Sequence, residues 1–121
     1  MYEKPKSKIY DLEDRTAKFV GNVIAFINVC PKTTANSEIT RQLIRSAGSV
    51  GANYIEANEA LSKKDFAMRV KIWRKEAKES RYWLRLMEVT GEELEKRRQE
   101  LVNESMELLK IFSAMFEKTM V

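Results

Sequence analysis

Arg45, Ser49, Asn53 and Glu56 follow one another at spacings of four, four and three, and Glu76 and Glu79 follow at a spacing of three. On helices these spacings put each set on one side. Two antiparallel helices would bring the two sets together. Two kinds of chemistry suit such residues. A carboxylate cage for metal ions would use Glu56 with Glu59 and Glu76 with Glu79. Di-iron bundles, however, draw Glu-x-x-His pairs from two of their helices, and this chain has no histidine. Arg45 would also repel a cation from the same set. The other possibility is a partly shielded network of hydrogen bonds and ion pairs, with Arg45 bonded to a glutamate, that fixes the register of the helices. The residues favour the network, and no metal or cofactor is expected.

A second constellation is cationic. Lys64, Lys71, Lys78 and Arg85 recur every seven residues, Arg74 and Arg81 are also seven apart, and Lys75 joins them. The chain's net charge is +4, and residues 61–91 hold nine Lys and Arg against four Asp and Glu. Charged faces usually do no more than solvate a helix, but acidic partners at i+4 that would balance this one are few. Along a helix the stripe runs roughly 35 Å, long enough to follow a phosphate backbone. Tyr82 reads either as a stacking surface for an unpaired base or as a packing residue at the rim. A membrane-surface role fits less well, because the apolar side of the same segment is committed to a core.

Other chemistries are excluded by composition. Without histidine, catalytic triads, most metal sites and the common acid–base schemes cannot be assembled. Cys30 is the single cysteine, so there is no internal disulfide. It reads as a small apolar residue near a helix end. No run of 18 apolar residues is present, so no transmembrane helix is expected. The opening "MYEKPKSKIYDLEDR" has no apolar signal core, which points to a mature, cytoplasmic start. The expectation is a protein that is not an enzyme.

The elements that must position these residues are legible from apolar spacing. Leu12, Thr16, Phe19, Val23, Phe26 and Cys30 alternate steps of four and three, and Pro31 stops that helix. Leu43, Ala47, Val50, Tyr54, Ala57 and Leu61 form a second series. Phe66, Val70, Trp73, Ala77, Ser80, Leu84 and Met87 form a third. Leu94, Arg98, Leu101, Ser105, Leu108, Phe112 and Met115 form a fourth. A seven-residue repeat of this kind is the seam of bundle helices crossing near 20°. Ser62 with Asp65, and Thr90 with Glu93, read as N-cap pairs, and Gly91 lets the chain turn. "CPKTTANSE" reads as the one longer linker. The chain is therefore expected to be all-α, an antiparallel up-down-up-down four-helix bundle over residues 11–118, preceded by a flexible segment 1–10.

Gly48 and Gly51 fall inside the second helix, beside its seam, where each costs roughly 1 kcal/mol against alanine. A stripe of Ile44, Gly48, Gly51 and Ile55 would let a neighbouring backbone or a large ring approach closely. Trp73 and Trp83 are the candidate rings. A phosphate-cradling loop would instead place glycines before a helix N-terminus.

Arg45, Ala47, Ser49, Val50, Asn53 and Glu56 together resemble the R-x-A-x-S-x-x-x-N-x-x-E signature of a family of bacterial four-helix bundle proteins. Its members include proteins encoded in intervening sequences of 23S ribosomal RNA genes and accessory proteins of diversity-generating retroelements. "SKKDF" and "IWRKEAKESRYWLRLM" are similar to the family's third helix, with Glu76, Glu79 and Trp83 at family positions. The resemblance covers about Tyr10 to Phe116. Ala57 departs from it, since many members have glycine there. The resemblance implies a ring, typically a homopentamer with a basic surface, and it does not imply an enzyme.

Two functions of different class follow. One is an oligomer that binds structured RNA, or an RNA–protein complex such as one with a reverse transcriptase, through Lys64, Lys71, Arg74, Lys75, Lys78, Arg81 and Arg85. The other is a structural module for oligomerisation and protein docking with no nucleic-acid role.

Overall fold

Three capping side chains and one glycine divide the chain into helices. In the computed structural model, which describes residues 11–120, the Asp11 carboxylate accepts a hydrogen bond from the Asp14 N–H at 3.2 Å and opens α1, Leu12–Val29. Pro31 follows the end of α1. The Thr33 hydroxyl then caps α2, Thr34–Asn58, by accepting from the Asn36 N–H at 3.1 Å. Ser62 caps α3, Lys63–Leu86, by accepting from the Asp65 N–H at 3.0 Å. Gly91, at φ +82°, opens α4, Gly91–Met120. A side chain with a Cβ is strained in that left-handed region, so the turn into α4 requires glycine. The expected segment 1–10 lies outside the described residues.

The helices pack in chain order, and α4 closes the bundle against α1. Contacts across α2 and α3 set their direction. Asn36 meets Glu88, Ser46 meets Ser80, and Tyr54 meets Trp73. Residue numbers rise on one helix as they fall on the other, so the pair is antiparallel. Among the described residues there is no strand, and the architecture is an all-α four-helix bundle.

The expected seams form the core. Leu12, Thr16, Phe19, Val23, Phe26 and Cys30 are all buried, as are all seven seam positions of α3. Trp73 is completely buried at the centre, stacked on Phe112 at 3.5 Å between centroids and tilted against Tyr54 at 5.1 Å. Its indole N–H has no hydrogen-bond partner among the described residues. In α4, Leu101, Ser105, Leu108 and Phe112 are buried, whereas Leu94, Arg98 and Met115 are half-buried.

Three expectations are corrected. Leu61 is 73% exposed, because α2 ends at Asn58 and Ala60 turns into the core in its place. The long linker between the first two helices shrinks to Cys30–Thr33, since Thr33 caps a helix that already contains Ala35 to Glu38. The helix glycines do not receive Trp73 or Trp83. A Cβ at Gly48 would meet nothing within 4 Å, and one at Gly51 would meet the Thr16 side chain of α1 at 3.4 Å. The close neighbour of Gly51 is thus a threonine at ordinary contact distance, and Gly48 faces open space.

Candidate nucleic-acid interface

The α3 seam turns toward the core, so residues half a turn away must face water. Lys64, Lys71, Lys75, Lys78 and Arg85 are exposed, and Arg74 and Arg81 on the α4 side are half-buried. The guanidinium of Arg74 lies over the Phe116 ring, 4.9 Å from its centroid. This cation–π contact holds the charge close to the bundle surface. Lys71, Ile72, Arg74, Lys75, Lys78 and Glu79 line a shallow hollow on this face. The seven expected cations therefore share one side of one helix.

Acids that could neutralise the row are engaged elsewhere. Arg45 of α2 donates to Glu79 at 2.6 Å and to Glu76 at 3.3 Å. Glu76 is turned toward α2, with its side chain only 5% exposed. The two central carboxylates of α3 thus neutralise a cation of another helix. Lys64, Lys71, Lys75, Lys78, Arg81 and Arg85 have no ion-pair partner among the described residues.

The expected polar network is smaller than its six members. Arg45, Glu76 and Glu79 form the interhelical part. Asn53 donates to the Ser49 carbonyl and hydroxyl, both at 2.9 Å, so these two form a local pair within α2. Glu56 is exposed and belongs to neither group. Eleven residues separate it from Arg45, which at 1.5 Å per residue is about 16 Å along the axis. In the antiparallel register that distance carries it away from Glu76 and Glu79.

Several polar contacts that spacing did not reveal hold the bundle in shape. Asn36 is 3% exposed and ties two loops at one end of the bundle. Its amide nitrogen donates to the Pro31 and Glu88 carbonyls at 2.9 Å, and its oxygen accepts from the Glu88 N–H at 2.8 Å. Arg98, expected in the α4 seam, donates to the Arg85 and Met87 carbonyls at the end of α3 and to Glu95. The bond to Glu95 raises the Arg98 pKa and lowers that of Glu95. Arg15 of α1 grips Glu104 of α4 through two bonds of 2.8 Å. An Asn three residues after a capping threonine, and an Arg interrupting an apolar seam, were the available signals.

Tyr82 lies in the middle of the basic face, 57% exposed, with its ring edge-on to Trp83 at 4.9 Å and 75°. Among the described residues no cluster of three or more Cys, Asp or Glu side chains could hold a metal ion. No described helix is long and apolar enough to cross a membrane.

In a solved structure, a protein of unknown function from the S23 ribosomal protein family of Bacteroides thetaiotaomicron VPI-5482 has the same fold. Its TM-score is 0.71 at 28% identity, covering 88% of this chain and 95% of the relative. No curated protein matches the sequence. The family model for the 23S rRNA-intervening sequence protein matches residues 9–114. With nearly the whole bundle inside that match, the chain belongs to the 23S rRNA-intervening sequence protein family.

Proposed function

We propose that this chain is a cytoplasmic, non-enzymatic bundle that assembles with itself, as a pentamer by its resemblance to the family, and binds nucleic acid through the outer face of α3. The ligand is structured RNA or an RNA–protein complex. The observation that carries this reading is the row of cations whose nearest helical acids, Glu76 and Glu79, are engaged by Arg45. An uncompensated row gains free energy by displacing counterions from a polyanion, and it reads shape and backbone rather than base identity. The family is described by a 23S rRNA intervening sequence and the solved relative by a ribosomal protein family, and neither description names a ligand. Self-association is what the resemblance to the family implies, since its members form rings. A closed ring would repeat the cationic row about its axis and raise apparent affinity through linked sites.

The test is the triple variant Lys71→Glu, Lys75→Glu, Lys78→Glu, examined by light scattering and by filter binding to ribosomal RNA at low and high salt. The expected result is an intact oligomer that has lost most of its salt-sensitive RNA affinity. Unchanged affinity in an intact oligomer would overturn the reading and leave a docking module with a solvated basic face.

A further inference from the structure

Tyr82 is the one aromatic residue on the outer face of α3, and its surroundings assign it a role that cations alone do not supply. On a helix, residues three, four and seven apart share a side. Tyr82 is thus flanked by Lys75, Lys78 and Arg85, all exposed and without an acidic partner among the described residues. The ring is not spread over the core. It is more than half exposed, and its position is fixed by the edge-on contact with Trp83, itself packed against the core. A ring held from one side and open on the other has little freedom left to lose on binding. That is the arrangement a base needs for stacking, with the flanking cations 3–7 residues away placed for the phosphates on either side.

We propose that Tyr82 stacks on an unpaired base, so that the basic face of α3 selects single-stranded over fully paired nucleic acid. This rests on the reading of that face as a nucleic-acid interface and specifies its substrate class. In a duplex both faces of each base are covered by their neighbours, and the ring finds only the backbone. In a single strand or an exposed loop, the base can leave its neighbours and lie on the ring while the backbone follows the lysines.

The test compares a fluorescent single-stranded oligouridine with an RNA duplex of the same length, using the intact oligomer. Tyr82→Ala is expected to weaken binding of the single strand by roughly 5- to 150-fold, the range that loss of one stacked base implies. Its duplex affinity should change less than twofold. Tyr82→Phe should restore single-strand binding, because the ring and not the hydroxyl stacks. Equal affinities of wild type and Tyr82→Ala for the single strand would overturn the proposal, as would equal losses on both ligands. Failure of the underlying interface reads differently. In that case the triple Lys-to-Glu variant would bind both RNAs as tightly as wild type does.

Discussion

Arg45 and Glu76 form an ion pair across α2 and α3 whose two ends differ in environment: the arginine side chain is 55% exposed and the glutamate 5% exposed, at 3.3 Å. The pair therefore lies between two regimes. A fully exposed pair contributes at most about 1 kcal/mol, whereas removing one partner of a buried pair costs about 3–5 kcal/mol. Solvent reaches the arginine and screens the interaction, but the carboxylate left behind is enclosed. Arg45→Met should therefore cost about 1–2 kcal/mol in urea unfolding. Adding Glu76→Gln should return part of that loss, since the stranded group would then be neutral. A cost near zero for Arg45→Met, with no recovery in the double variant, would remove the pair from any role in register.

Asn36 makes a sharper case, because its three hydrogen bonds join segments far apart in sequence. Asn36→Ala leaves the Glu88 N–H and the Pro31 and Glu88 carbonyls without their partner. Stranded buried groups cost about 1–3 kcal/mol each, and water reaching the loop would recover part of this, so a net loss of about 2–4 kcal/mol is expected. Asn36→Asp keeps the acceptor for the Glu88 N–H but aims a carboxylate at two carbonyls, and it should be no better. A loss below about 1 kcal/mol for Asn36→Ala would mean that water replaces the amide fully.

These two residues mark the limit of what helical spacing encodes. The four seams were legible because burial repeats every three or four residues, and the cationic row was legible because exposed positions repeat with the same period. Arg45, Glu76 and Glu79 could be paired because both sets sit one turn apart on facing helices. Glu56 was grouped with them by its side of α2, but spacing on one helix gives no level on its neighbour. Asn36 carried no periodic signal at all. Its partners are loop carbonyls and one loop N–H, which become neighbours only when both turns meet at the same end of the bundle. Gly48 and Gly51 read as room for a neighbouring backbone or a large ring, yet Trp73 finds its partners in Phe112 and Tyr54, and only the Thr16 side chain comes near Gly51.

Cys30 should impose an alkaline limit on stability. Burial raises its thiol pKa above the ordinary value of 9.0, and the nearby Arg98, Lys32 and Arg97 only partly oppose the shift. The folded pKa thus lies above the unfolded one. The associated stability is fully present below the unfolded pKa, and it is lost as pH rises through the unfolded and then the folded value. Wild-type stability should fall as pH rises above about 8.5, and Cys30→Ala should flatten that part of the decline at a cost of about 1 kcal/mol near neutrality. Urea midpoints for both proteins across this range provide the check, and parallel declines would mean that other groups set the limit.

If the proposed RNA binding holds, the cations of α3 should contribute individually to its salt dependence. Each lysine that neutralises a phosphate adds about 0.7 to the slope of log affinity against log salt for a single strand, and about 0.9 for a duplex of the DNA kind. Lys71, Lys75 and Lys78 are exposed and form no ion pair among the described residues, so replacing one removes no internal partner. Each Lys-to-Ala variant should fold as wild type does and lower the slope by about 0.7 for every subunit in contact with the strand. Arg74→Ala should do the same but also lose stability, because its guanidinium covers the Phe116 ring. Lys110 is the control. It is exposed on α4 and paired with Glu107 at 3.5 Å, so Lys110→Ala should leave the slope unchanged. The measurement is a set of binding isotherms over a salt series for the five variants. If all five slopes equal the wild-type slope, the row makes no phosphate contacts; if Lys110→Ala lowers it as much as Lys75→Ala does, the attraction belongs to the whole charged surface and not to α3.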